Sequence, residues 1–239
     1  MTLRKIAFLK KWGIGLVPIL ILALACSAAG SAAVSTANSA TSPVVGPAAP
    51  SQDLPEEPFA RGKALLLQGK PAEAKASFEQ AMAQDTKSLD ILYYRGVSRL
   101  QLGDSGGALA DFRATLDRKP DYALGRAGLA QVWIKQANYA EAEKEIAAAL
   151  AADDRCAEAY FQRGVVQGYL KDTNAAIAAF TKSLEIDALH AYAHYYLGLA
   201  YNQVRRKDLT IVHLEKFLTL APLAPEAPQV RNLLNMLKR

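Results

Sequence analysis

An all-α architecture, five helix–turn–helix units closed by one further helix, is what this 239-residue chain encodes. Three observations carry that expectation. From residue 55 onward, residue types recur every 34 positions without gaps. Within each unit, apolar residues return at i, i+3, i+4 and i+7, as in Leu109, Phe112 and Leu116, or Ile177, Phe180 and Leu184. Turn residues fall at matching places, at Gly69-Lys70-Pro71, Gly103-Asp104-Ser105, Ala137-Asn138-Tyr139 and Lys171-Asp172-Thr173. The composition agrees: 51% hydrophobic and 21% charged residues, with a mean hydropathy of +0.02, exclude both a wholly disordered chain and a polytopic membrane protein.

The chain opens with Arg4, Lys5, Lys10 and Lys11, an apolar run from Trp12 to Ala25, Cys26, and a tract of small residues. That order is the one found in secretory signal peptides, and the run falls short of the ~20 residues that span a bilayer. Residues 1–25 therefore read as a signal peptide or N-terminal membrane anchor. The stretch Leu22-Ala23-Leu24-Ala25-Cys26 resembles the lipobox of bacterial lipoproteins, with Ala23 where leucine is usual and Leu24 where a small residue is preferred. The resemblance implies cleavage before Cys26 and lipidation of that cysteine. Ala23-Leu24-Ala25 also fits an ordinary signal peptidase, and an uncut leader would anchor the chain. Each outcome puts the remainder outside the cytoplasm, as the basic end predicts. Residues 26–54, rich in Ala, Ser, Thr and Pro with Asp53 as their one charge, read as a disordered tether.

Units are expected over 55–88, 89–122, 123–156, 157–190 and 191–224. One column of the repeat holds Gly62, Gly96, Ala130, Gly164 and Gly198. Twelve residues on stand Ala74, Ala108, Ala142, Ala176 and Thr210, and four further Phe78, Phe112, Ile146, Phe180 and Leu214. A glycine inside a helix costs about 1 kcal/mol against alanine, so the glycine column marks a close approach of two helices. The alanine column on the facing helix is its expected counterpart. Residues 225–239 carry Val230, Leu233, Leu234 and Leu237 on one stripe, suited to cap the open end of an array.

The 34-residue period, Leu197-Gly198-x-x-Tyr201, and the alanine, Phe/Leu and proline (Pro120, Pro222) columns resemble the tetratricopeptide repeat. The resemblance covers residues 55–224 and departs from the family at Thr210 and Phe217. It implies a right-handed α-solenoid whose first helices line a concave groove. Family precedent places three first-helix columns there, and in this chain they include Phe59, Tyr93, Phe161 and Tyr195; Val97, Val165 and Leu199; and Leu66, Leu100 and Ile134. The implied groove is aromatic and apolar, suited to a peptide or amphipathic helix of another protein. The residues expected to touch that partner are Phe59, Tyr93, Val97, Leu100, Ile134, Phe161, Val165, Tyr195 and Leu199.

Other chemistries are poorly supported. Four of the 28 basic residues sit in the leader and one of the 23 acidic ones in the tether, leaving 24 against 22 over residues 55–239. That balance offers no concentrated basic face for nucleic acid. Gly103-Asp104-Ser105-Gly106-Gly107 spells the string around a serine-protease nucleophile, yet it occupies an inter-helix turn where Asp104 and Ser105 suit a helix cap. Asp187, His190 and His194 are spaced for a weak metal site, with packing the favoured role for His194. Arg205-Arg206-Lys207 reads as a solvated turn first and a lipid-headgroup contact second. No catalytic, cofactor or metal residues are assigned. The expectation is a non-enzymatic adaptor of a bacterial cell envelope, held to the membrane by its N-terminus. The alternative is a structural subunit assembling through solenoid ends or convex faces.

Overall fold

The computed structural model describes residues 54–239, so the leader, Cys26 and almost all of the tether lie outside the described residues. Within them the chain forms eleven helices and no strand. Five hairpins come first: α1 (Pro58–Leu67) with α2 (Pro71–Gln84), α3 (Leu89–Gln101) with α4 (Ser105–Arg118), α5 (Ala123–Lys135) with α6 (Tyr139–Ala152), α7 (Ala157–Tyr169) with α8 (Thr173–Ile186), and α9 (Ala191–Gln203) with α10 (Lys207–Leu220). The closing helix is α11 (Ala227–Leu237).

Local chemistry sets the ends of these helices. Side chains of Glu57, Ser88, Asp104, Asn138, Asp172 and His190 accept backbone N–H groups in the first turns of α1, α3, α4, α6, α8 and α9. Each such cap is worth about 1 kcal/mol. The Asp104 carboxylate takes the Gly107 N–H at 2.8 Å, so the protease-like string is a turn and a cap. First helices all stop the same way. Gly69, Gly103, Ala137, Lys171 and Arg205 adopt φ between 59° and 89°. The next N–H reaches back five residues in every unit: Lys70 to Leu65, Asp104 to Arg99, Asn138 to Trp133, Asp172 to Gln167, and Arg206 to Tyr201.

First helices of adjacent units pack on one another, whereas second helices of adjacent units do not touch. The array therefore curves with first helices on its inner side. It curls far enough that the first hairpin turn, at Gly69, lies against Pro225 in the loop before α11. Val230 and Leu234 of α11 are buried in one cluster with Phe217, Tyr195 and Leu199, so the end of the fifth unit is covered. Phe217, one of the two family departures, fills the space that this cap encloses.

The glycine column meets a different counterpart from the expected one. A Cβ built on Gly62, Gly96, Gly164 or Gly198 would stand 2.5, 2.6, 2.5 or 2.8 Å from the side chain of Phe78, Phe112, Phe180 or Leu214. Close approach is thus glycine to ring, within each hairpin, and the fully buried alanines sit one turn away. In the third unit the partner is Ile146, and there Ala130 replaces glycine. The Phe112 ring is also met, just as closely, by Gly128 of the next unit.

One buried charge cluster was not foreseen. The Arg95 guanidinium donates to both oxygens of Asp111, at 3.0 and 2.6 Å, and Arg99 adds a contact at 2.9 Å. The Asp111 side chain is only 4% exposed, and its carboxylate raises the Arg95 pKa, chiefly by the hydrogen bond.

Two substitutions test this packing. Gly96→Ala gains helix propensity but forces its methyl into Phe112, and should lower unfolding free energy by roughly 1–2 kcal/mol. Gly106→Ala, in the exposed first turn of α4 with its nearest neighbour at 4.0 Å, should raise it by a few tenths to about 1 kcal/mol. Urea denaturation of both variants reads the contrast. Asp111→Ala removes the carboxylate shared by two half-buried arginines and should cost about 1.5–3 kcal/mol by the same measurement.

Candidate partner-binding groove

Of the nine residues expected in the groove, five are buried within the chain itself: Tyr93, Leu100, Phe161, Tyr195 and Leu199, all at 9% exposure or less. Phe59, Val97, Ile134 and Val165 are half-buried. The rings carry packing within units as well as between them, since Tyr93 and Tyr195 meet rings of their own hairpins and Phe161 meets a ring of the next unit. Tyr93 lies 5.8 Å from Phe112, Phe161 lies 5.7 Å from Tyr196, and Tyr195 lies 5.0 Å from Phe217. Phe59 packs on Tyr94 at 5.5 Å, and the Lys63 ammonium rests 5.3 Å from the Tyr94 ring centroid.

Along the same inner side runs a set of polar contacts spaced by about one repeat, and it makes the face more polar than the apolar columns imply. The Tyr122 hydroxyl donates to Asp90. The Gln131 amide donates to the Tyr93 hydroxyl at 3.2 Å and to Glu158 at 2.8 Å. Gln162 donates to the same Glu158 oxygen at 2.5 Å, and His190 Nε2 meets the other at 3.2 Å. Tyr192 donates to Glu226, just before α11, at 3.2 Å. Sequence reasoning missed Glu158 and Tyr192, although Asp90, Glu158, Tyr192 and Glu226 share one column of the 34-residue repeat.

Glu158 is the node of this ladder, with its side chain 18% exposed and that of His190 16% exposed. Burial pushes the Glu158 pKa up, but the His190 hydrogen bond and charge outweigh it and hold the carboxyl below its ordinary value. Burial likewise pushes His190 down, and Glu158 outweighs it, leaving the imidazole above its ordinary value. His190 Nδ1 also accepts the Ala193 N–H at 3.1 Å. The cap needs an unprotonated Nδ1, so the neutral Nε2–H tautomer makes both contacts, and charging the ring strengthens the pair at the expense of the cap.

The metal constellation weighed from sequence is pulled apart. Asp187 accepts the Leu189 N–H, His190 turns to Glu158, and His194 turns to the outer face. There His194 Nδ1 and His213 Nδ1 face each other at 2.9 Å, and His194 Nε2 lies 3.2 Å from the Ala188 carbonyl. That geometry assigns the Nε2–H tautomer to His194 and the Nδ1–H tautomer to His213. Burial, helped by His194, lowers His213 to about 4. Among the described residues no group of three or more His, Cys, Asp or Glu could hold a metal ion. Cys156 is buried at the start of α7, and burial pushes its thiol to about 11, far from a reactive thiolate.

Comparison with known proteins falls on these repeats. Three tetratricopeptide repeat models match residues 59–123, 99–162 and 157–188. The chain belongs to the tetratricopeptide repeat family. The thermophilic tetratricopeptide protein TTC0263 of Thermus thermophilus superposes with a TM-score of 0.59 at 21% identity, over 76% of this chain and 97% of that one, and shares the fold. Human protein O-mannosyl-transferase TMTC3 is 25% identical over 71% of this chain and 19% of its own length. Rat DnaJ homolog subfamily C member 3 is 32% identical over 35% of this chain and 17% of its own length. The chain thus spans under a fifth of either curated relative. A tetratricopeptide solenoid is a protein-interaction scaffold.

The two histidine sites predict opposite pH effects. His190 is raised, so its contribution is full below pH ~6.5 and is lost as pH rises through the folded value. His194 and His213 are lowered, so they stabilise fully above pH ~6.5, and that stability is lost as pH falls toward 4. His190→Asn keeps a capping side chain without the charge, and should lose more stability at pH 5.5 than at pH 8. His213→Gln should lose less at pH 5 than at pH 7.5. Urea midpoints at these pH values check both signs.

Proposed function

We propose that this protein is an extracytoplasmic adaptor, held at a bacterial membrane by its N-terminus through Cys26 lipidation or an uncleaved leader. Its inner face would hold a segment of another envelope protein, a peptide or amphipathic helix, and it performs no catalysis. The observation that best supports this is the make-up of the inner face. Half-buried Phe59, Val97, Ile134 and Val165 offer apolar anchors. Beside them the Gln131–Glu158–His190 ladder offers amide, carboxylate and imidazole groups. Apolar pockets flanked by fixed polar groups are the setting in which a segment gains both affinity and register.

A second reading, assembly through the outer face, is favoured by one specific feature. Leu189 and Val212 are 68% and 58% exposed beside the His194–His213 pair, and together with Leu184 and Ala188 they line a shallow open cavity.

Photo-crosslinking residues separate the two. Placed at Val97 or Val165, they should yield one common adduct in the native envelope, with none from Arg113 on the exposed side of α4. Adducts from Val212 alone would favour the outer face, and equal labelling from Arg113 would defeat both. The intact mass of the membrane-extracted chain tests the anchor. A chain beginning at acylated Cys26 or at Met1 supports it, and an unacylated chain beginning at Cys26 in the soluble fraction overturns it.

A further inference from the structure

The turns that join first to second helices all lie on one edge of the array, and that edge exposes apolar side chains in four units, beginning with Leu67 and Leu102 at the ends of α1 and α3. Tyr169, Leu170 and Val204, at the ends of α7 and α9, are 41%, 55% and 40% exposed. Tyr169 stacks on Tyr139 of the preceding unit, with centroids 5.3 Å apart and planes 17° off parallel. Thr173 donates to Gln203 at 3.0 Å, tying the fourth turn to the end of α9 and making the two turns one surface. Exposed Arg205, Arg206 and Lys207 follow Val204 directly.

Charge divides between the two edges. On the edge of the first-to-second-helix turns, residues 205–208 are two positive charges in excess, with Asp208 paired to Arg206 at 3.1 Å, and Asp172 caps α8. On the opposite edge the same stretch of the array also exposes leucines, Leu189 and Leu223, but beside Asp153-Asp154-Arg155 and Asp187-Ala188-Leu189, each one negative charge in excess, so charge is what separates the two edges. Tyrosine and leucine beside exposed cationic residues match the boundary between headgroups and acyl chains, where aromatic rings and basic stems settle together. A protein partner needs no such ordering of apolar and basic groups along an edge, and the acidic opposite edge would be repelled by the surface that attracts this one.

We propose that this edge, centred on Tyr169, Leu170 and Val204 with Arg205, Arg206 and Lys207, docks on the surface of an anionic phospholipid bilayer. The proposal rests on the reading that the chain is held at a membrane. It adds an orientation: the first-to-second-helix edge of units four and five faces the lipid, and the acidic edge faces away.

Amide hydrogen exchange on the full chain tests it, in nanodiscs of phosphatidylcholine alone and of phosphatidylcholine with phosphatidylglycerol. The expected result is slower exchange over residues 169–173 and 203–208 in the anionic nanodiscs only, with residues 85–88 and 153–156 unchanged. Replacing Arg205, Arg206 and Lys207 together by Glu should remove the difference. The same exchange rates with and without phosphatidylglycerol, equal protection on both edges, or an unaffected triple variant would overturn the docking edge. Retention of the chain in pure phosphatidylcholine nanodiscs is a separate readout, of anchoring. Should the chain not be retained there, anchoring fails, and the edge is read by flotation of the free chain with phosphatidylglycerol vesicles. In that format the triple variant should bind at least about a hundredfold more weakly, and equal flotation of both proteins would overturn the proposal.

Discussion

Everything in this molecule depends on how closely two helices of one hairpin approach. A ring or leucine on the second helix lies where a Cβ on the first would stand, within 2.5–2.8 Å of its built position in four of the five units. Real carbon atoms do not approach so closely, so glycine sets the spacing of the hairpin. Curvature is set one level up, where the first helices of these fixed hairpins pack on one another and the second helices stay apart. Where Ile146 replaces the ring, Ala130 replaces the glycine. Phe112 makes the coupling between units explicit, being flanked by Gly96 of its own hairpin and Gly128 of the next.

Curvature explains the fate of the inner residues. First helices converge on the inside of a bend, so the first-helix aromatic column is enclosed by the ring of its own second helix on one side and by the neighbouring unit or the cap on the other. Tyr93, Phe161 and Tyr195 thereby serve the core. What remains available to a partner is a narrower set of half-buried side chains and the polar ladder. That ladder also joins units: Gln131 binds Tyr93 of the second unit and Glu158 of the fourth. A ligand competing for Glu158 would therefore act on the contact between units three, four and five as well as on its own affinity.

The fold was legible because its determinants are local and repeated. Unit spacing, turn residues and the capping stripe all reside in residue type at fixed intervals, and five copies reinforce one another. The candidate site was less legible, for two physical reasons. Whether a first-helix column faces solvent depends on curvature, which is a sum of small rotations and has no residue of its own. Polar partners also lie about 32–38 or 27 positions apart, so Asp90, Glu158 and Glu226 read individually as ordinary surface acids. Asp111 deceived in the same way. An aspartate in a charged helix looks exposed until Arg95 and Arg99, sixteen and twelve residues earlier, are found on the facing helix. The glycine's counterpart was misjudged for a third reason: small residues on facing helices suggest mutual contact, whereas the large ring reaches farther than either.

Closure of the curl bears on what the inner face can accept. Gly69 lies against Pro225, so the turn of the first hairpin leans on the loop before the closing helix. On the proposed reading, a bound helix about 10 Å across asks more room of the curl, and so of that contact, than an extended segment does. An extended segment makes a smaller demand, since its backbone is thinner and its amides can meet the carboxylate and amide groups already there. On that proposed reading, Gly69 and Pro225, although not among the residues expected to touch a partner, belong to the energetics of the groove. Loosening them lowers the cost of opening for a thick ligand, and it removes part of the preorganisation that favours a thin one.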